Sequence, residues 1–181
     1  MGCDDDANLI VTDGPAHLWL GNRNAALNFN FLKDANISVI INCTKEIPFI
    51  HEINNKDYTP LNIETIRIPI YDSNSNSDNK ILYDALKPTL EFLDTKFLKE
   101  KKNILIHCAA GKSRSASVIA AFIFYMIKYK SNHYKNKPLG LSDKVLMNNV
   151  ITYIVKRRPC AFYYGRIVNF KKALESFFNI T

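Results

Sequence analysis

Residues 103–117 read Asn-Ile-Leu-Ile-His-Cys-Ala-Ala-Gly-Lys-Ser-Arg-Ser-Ala-Ser, and the rest of the chain is organised around them. The apolar run Ile104 to Ile106 reads as a buried strand that stops at His107-Cys108. Beyond Arg114 a second apolar run predicts a core helix over Ser115–Tyr129. Strand, loop, helix is a layout that aims several backbone N–H groups at one point, where the positive end of the helix dipole adds to them. The amides of Ala109, Ala110, Gly111, Lys112, Ser113 and Arg114 can cradle a tetrahedral oxyanion such as a phosphoryl group. Arg114 brings a planar, permanently charged fork that takes two oxygens at once, which a lysine cannot match. In such surroundings a thiol falls to a pKa of roughly 3.5–7.5 from about 8.5, so Cys108 is expected as a thiolate aimed at phosphorus. Gly111 and its small neighbours let the backbone close on the ligand. His107 is expected to orient the loop, and Ser115 to donate its hydroxyl to the sulfur and ease its departure in a second step.

Two plainer readings are weaker. A lone cysteine is usually an inert core residue, but His, Cys, Gly, Arg and Ser here all stand where the loop chemistry needs them. Gly111-Lys112-Ser113 also matches the end of a nucleotide-binding G-x-x-x-x-G-K-[ST] loop. That pattern requires glycine at position 106, where Ile106 lies in the strand.

His-Cys-Ala-Ala-Gly-Lys-Ser-Arg-Ser resembles the H-C-x-x-G-x-x-R-[ST] loop of the cysteine-based protein phosphatases. The Arg-Ser-Ala-Ser continuation is most similar to their compact dual-specificity branch, which includes the small poxvirus enzyme. Weaker similarity extends from about Ala16 to Phe178, including Trp-Leu-Gly-Asn at 19–22 and Ile-Asn-Cys-Thr at 41–44. The resemblance implies an α/β fold with a central mixed, mostly parallel sheet flanked by helices. It further implies a cysteinyl-phosphate intermediate, no metal and no cofactor, and phosphorylated proteins as partners. Tyrosine-specific members of the family need a larger catalytic domain.

At 181 residues and 47 % hydrophobic, the chain is sized for a single domain with a real core. We read residues 1–15 as a flexible terminus and 16–181 as the catalytic domain. The net charge of +7 suits dianionic phosphate substrates; it also suits nucleic acid, although no stable nucleic-acid partner is expected. Val118–Ile127 is apolar but shorter than the ~20 residues of a membrane span, and there is no basic, hydrophobic secretory leader. Cys3, Cys43, Cys108 and Cys160 lack metal-ligand spacing, and a thiolate nucleophile belongs in a reducing compartment, cytoplasmic or nuclear. The richness in Asn, Ile and Lys is that of an AT-rich genome, viral or protist; a viral source would place the protein in a host cell or virion. Gly2 and Cys3 invite a lipidation reading, but Asp6 stands where serine or threonine is wanted, and Asp4 to Asp6 oppose an anionic membrane. Membrane attachment is therefore not expected.

His17–Gly21 reads as a strand and Ile37–Cys43 as a strand buried on both faces. Asn24 is expected to cap a helix over Ala25–Lys33. Glu64–Ile70 alternates like a strand and enters a polar loop at Tyr71-Asp72. Ile81–Lys101 has helical spacing, with Pro88 expected to kink or divide it. Ser142 is expected to cap a helix to about Lys156, with a last helix over Arg166–Phe178. His51 reads as a solvent-facing loop residue. Arg157, Arg158 and Arg166 suggest a second anion site, with a solvated surface the preferred reading.

The chemistry also needs an acid, because thiolate attack expels an alkoxide or phenoxide that must be protonated. Asp72 stands 36 positions ahead of Cys108, directly after Ile-Pro-Ile-Tyr, which matches the family's spacing; Asp78 is the lesser candidate. By the same resemblance Cys43 lies beside Cys108, and in lipid-phosphatase relatives a cysteine so placed pairs with the nucleophile on oxidation. Three rivals keep the loop but change the role: a phosphoinositide phosphatase, an RNA 5′-triphosphatase, and a phosphoprotein-binding module without turnover.

Overall fold

The computed structural model of the chain describes residues 5–53, 61–71, 76–130, 140–162 and 170–181. Five strands form one sheet in the order β1-β2-β5-β3-β4: β1 (Ala7–Asp13), β2 (Ala16–Gly21), β3 (Val39–Asn42), β4 (Glu64–Arg67) and β5 (Ile104–His107). β1 and β2 form an antiparallel hairpin at one edge; β2, β5, β3 and β4 run parallel. The mixed, mostly parallel sheet expected from the resemblance is the one observed.

β5 is the centre, and its alternation decides the layers. Ile104 and Ile106 face the larger core, while Leu105 faces a smaller one with Ile40, Ile37 and Leu32. The larger core packs α3 (Asn76–Leu93), α4 (Arg114–Tyr129), α5 (Asp143–Arg157) and α6 (Lys171–Phe178) against the sheet. The smaller is covered by α1 (Arg23–Ala26), α2 (Phe29–Asp34) and a 3-10 turn over Ile50–Glu52. Gly21, Asn42 and His107 lie side by side in the register, so β2, β3 and β5 end level. In open parallel sheets that carboxyl edge is where ligands bind.

Several expectations need correction. Residues 7–13, read as part of a flexible terminus, are a sheet strand. The register of β1 shifts between Leu9 and Val11, so Ile10 and Val11 are both buried, and this bulge hides the alternation that would have revealed the strand. Asn24 is not the cap. The Asn22 side chain accepts from Asn24 N–H (2.8 Å) and Ala25 N–H (3.1 Å), and Asn28 accepts from Phe31 N–H (3.1 Å) to start a second short helix. Asparagine competes for its neighbours' amides and so cuts the run in two. Pro88 lies inside α3 without dividing it. Leu82 and Leu86 before it and Leu90 and Leu93 after it bury on the same core, which offsets one missing hydrogen bond. The departure from α geometry comes later, in a π-helical turn over Asp94–Lys99, where buried Asp94 is held by Lys99 and Lys130, each at 2.9 Å.

Ser142 caps α5 as expected, accepting from Val145 N–H at 3.3 Å. The last helix is described from Lys171. His51 is exposed and stacks on Phe49. Among the described residues no helix is long and apolar enough to cross a membrane.

Candidate active site

β5 carries His107 to the edge of the sheet, and Cys108 comes next, at the mouth of the loop. The loop is held from outside by four bonds. Arg23 N–H donates to the Ala109 carbonyl (3.2 Å), and Phe162 N–H donates to that of Lys112 (2.8 Å). The Arg158 guanidinium donates to the carbonyls of Ala110 (3.4 Å, from Nη2) and Gly111 (2.8 Å, from Nε). In a trans peptide C=O and N–H point opposite ways. Four successive carbonyls turned outward therefore turn the amides of Ala110, Gly111, Lys112 and Ser113 inward. Gly111 sits at φ +65°, which glycine adopts freely. The first hydrogen bond of α4 is Ser117 N–H to Ser113 O, so the helix opens directly under the cradle with its dipole aimed into it.

Cys108 is only 2 % exposed, yet its pKa is lowered. Burial pushes it up, but the Arg114 charge, the Ser115 hydroxyl and the amides of Ser115 and Lys112 together outweigh burial. The Ser115 hydroxyl donates to Sγ at 3.2 Å. Arg114 is itself buried; its Nη1 donates to the Ile70 carbonyl (3.0 Å) and lies 3.5 Å from Glu46 Oε1. The site thus places an acidified thiol next to a fixed guanidinium and a ring of inward amides, an arrangement that can bind a phosphoryl group and attack it.

His107 is fully buried, and its pKa is pushed down to about 4. Burial is the largest cause, and the Arg67 and Arg114 charges add to it, while the Cys108 backbone pulls the other way. Neither ring nitrogen reaches full hydrogen-bond geometry with a described residue. His107 is therefore a neutral, packed ring at pH 7.

Asp72 lies outside the described residues, as do Gly2, Cys3 and Arg166. The residues leading to Asp72 are anchored twice: Ile70 O accepts from Arg114, and Tyr71 N–H donates to Asp78 Oδ1 at 3.1 Å. Asp78, the lesser acid candidate, is fully buried in the first turn of α3 and holds backbone. Cys43 comes directly after β3, with its N–H donating to His107 O at 2.8 Å. It is a free thiol, and its pKa is raised well above the usual value by burial and by the neighbouring Cys108 charge, against the opposing charge of Arg114. Among the described residues no three His, Cys, Asp or Glu side chains are grouped to hold a metal.

The arginine pair near the end of α5 needs correction. Arg157 is exposed, with its guanidinium 3.6 Å from the Tyr153 ring centroid. Arg158 is neither a surface residue nor an open anion site; it is fully buried behind the loop. Sequence reading missed it because one residue past a helix end is normally solvent. The one signal available was the neighbouring Pro159-Cys160-Ala161, too apolar for a solvated turn.

Residues 18–136 match the family described as dual specificity phosphatase, catalytic domain. The chain is 36 % identical over 131 residues to the putative tyrosine-protein phosphatase AMV078 of Amsacta moorei entomopoxvirus, covering 72 % of this chain and 73 % of that protein. It is 35 % identical over 106 residues to MAP kinase phosphatase with leucine-rich repeats protein 2 of Dictyostelium discoideum, covering 59 % of this chain but 13 % of that protein. Against mouse dual specificity protein phosphatase 8 it spans only 20 % of the relative's length. Among solved structures, the Yvh1 phosphatase domain from Chaetomium thermophilum superposes with a TM-score of 0.70 at 22 % identity, covering 96 % of this chain and 95 % of that one. With the loop, the fold and these likenesses together, the chain belongs to the dual specificity phosphatase catalytic-domain family.

Proposed function

We propose that the chain is a protein phosphatase that hydrolyses phosphotyrosine and phosphoserine or phosphothreonine through a cysteinyl-phosphate intermediate. The observation that carries this reading is a thiol that is buried yet acidified, with Ser115 on its sulfur and Arg114 beside it. The Cys108 thiolate attacks phosphorus, and the bond to the substrate oxygen breaks. Arg114 and the inward amides hold the three remaining oxygens, more tightly as charge spreads over them in the transition state. Asp72 gives its proton to the leaving oxygen, then as a carboxylate takes one from the attacking water. The S–P bond breaks, Ser115 stabilises the departing sulfur through its hydroxyl, and inorganic phosphate leaves.

The twofold pinning of Ile70 and Tyr71 supports Asp72 as the acid, and the structural engagement of Asp78 argues against the alternative. β1 supports extending the catalytic unit back from residue 16 to Asp5. Phosphorylated proteins are the partners, and a thiolate nucleophile suits a reducing compartment such as the cytoplasm or nucleus.

Phosphate release would be measured from a doubly phosphorylated Thr/Tyr peptide, a phosphoinositide and a 5′-triphosphate RNA, with Cys108→Ser as the blank. Release from both peptide sites, absent in the blank, is expected. Release only from lipid or RNA would move the substrate class. Tight peptide binding without release would make the loop a receptor.

A further inference from the structure

The side chain of Arg158 is fully buried, and all three of its nitrogens are engaged. Besides the carbonyls of Ala110 and Gly111, it reaches the amino-terminal edge: Nη1 donates to Asn8 Oδ1 (2.6 Å) and to the Asp5 carbonyl (3.2 Å). The packing leaves no room for alternatives. A Cβ on Gly111 would come within 2.6 Å of Arg158 Nη2 and 2.6 Å of Gly21 O. A buried guanidinium is expensive unless every donor finds an acceptor, and here main-chain and amide oxygens accept its hydrogen bonds while the Asp5 and Asp6 charges favour its charged form.

We propose that Arg158 is a positioning residue: by holding the Ala110 and Gly111 carbonyls outward it aims the Gly111 and Lys112 amides into the phosphate cradle, and through Asn8 and Asp5 it makes the start of β1 part of the active-site scaffold. This deepens the phosphatase reading and rests on it. The peptide that Arg158 grips at Gly111 O is the peptide whose other end is Lys112 N–H, and that amide faces the Cys108 sulfur. Releasing the carbonyl frees the peptide to rotate and lets the amide leave the anion. Phe162 N–H holds only the next carbonyl, so it does not substitute for Arg158. Lysine would supply a charge without the fork that spans two carbonyls and the Asn8 side chain at once.

The test uses inorganic tungstate as the oxyanion and iodoacetate alkylation across pH to read the Cys108 thiol, neither of which needs turnover. In Arg158→Met, tungstate should bind about tenfold more weakly, equivalent to about 1.4 kcal/mol, and the alkylation midpoint should move to higher pH. Arg158→Lys should recover only part of each shift. Asn8→Ala, which cuts the tether and leaves the guanidinium, should move both readouts the same way by less; it keeps the test open if Arg158→Met does not fold. A parent that binds no tungstate overturns the cradle itself. A parent that binds it, with folded Arg158 or Asn8 variants that match its affinity and midpoint, overturns the positioning role alone.

Discussion

Cys43 and Cys108 are as alike as two positions in this fold can be. Each comes directly after the last residue of a parallel strand, the strands are neighbours, and Asn42 and His107 are register partners. Exposure is 0 % for Cys43 and 2 % for Cys108. One thiol is nonetheless pushed well up and the other down. Burial raises both; the difference comes from the residues next in sequence after each cysteine. After Cys43 come Thr44 and Lys45, and the Thr44 side chain turns away to Asn42 Oδ1 at 2.7 Å. After Cys108 comes a loop whose carbonyls are pulled outward and a helix that opens with Arg114 and Ser115. Strand-end burial alone raises a thiol's pKa, and a loop that supplies inward amides and an arginine lowers it at the same position.

The comparison breaks most sharply at the nucleophile. Cys108→Ser should lower turnover by roughly 10⁴-fold or more, whereas Cys43→Ser should leave kcat/KM near the parent value. Equal losses in the two variants would mean that the thiols share the chemistry. Arg114→Lys keeps the charge and removes the fork, so kcat should fall about 10²–10³-fold and alkylation of Cys108 should shift to higher pH.

Ser115→Ala sharpens the same contrast in time. The hydroxyl bonds sulfur, and in the proposed mechanism it acts as that sulfur departs. Cysteinyl phosphate should accumulate, giving a burst of the leaving group and then turnover slowed about 10²-fold. A uniform slowing with no burst would place Ser115 in the first step instead.

Legibility in the sequence tracks the range of the interactions. The loop from His107 to Ser115 is local: each residue type is dictated by its own position relative to strand end and helix start, so it can be read directly. The unbroken apolar run of Ile104, Leu105 and Ile106 likewise announces a buried strand. Arg158 was illegible because its partners, Gly111 and Asn8, are 47 and 150 residues away. β1 was missed for a local reason, since the bulge at Leu9–Val11 breaks the pattern by which an edge strand is recognised. Arg158 and β1, which both escaped reading, meet behind the loop through Asn8.

His107 separates the roles of burial and charge. Its folded pKa of about 4 lies below the ordinary 6.5. Between those values the unfolded chain binds the proton and the folded chain does not, so stability falls as pH drops from 6.5 to 4 and stops falling below. The loss should total roughly 3 kcal/mol. Denaturant titrations across that range should show the decline, and His107→Gln should flatten it. A parent curve that stays level would mean that the ring is solvated.

The smallest effect concerns how the two thiols meet under oxidant, where we expect Cys43 to act as a slow resolving group. Peroxide converts the Cys108 thiolate to a sulfenic acid; Cys43 then attacks that sulfur, hydroxide leaves as water, and a disulfide results. Attack requires a thiolate, and Cys43 is held protonated by burial and by the Cys108 charge. Oxidation of Cys108 removes that second cause while Arg114, which favours the thiolate, stays in place. The reaction that creates the target thus also eases ionisation of the attacker, although burial still restrains it. Peptide mapping after peroxide should therefore find sulfenic acid first and the Cys43–Cys108 cross-link later, faster at higher pH. In Cys43→Ser, Cys108 should proceed to sulfinic acid, which thiols do not reverse. Over-oxidation at the same rate in parent and variant, with no cross-link at any pH, would leave Cys43 as a core residue and nothing more.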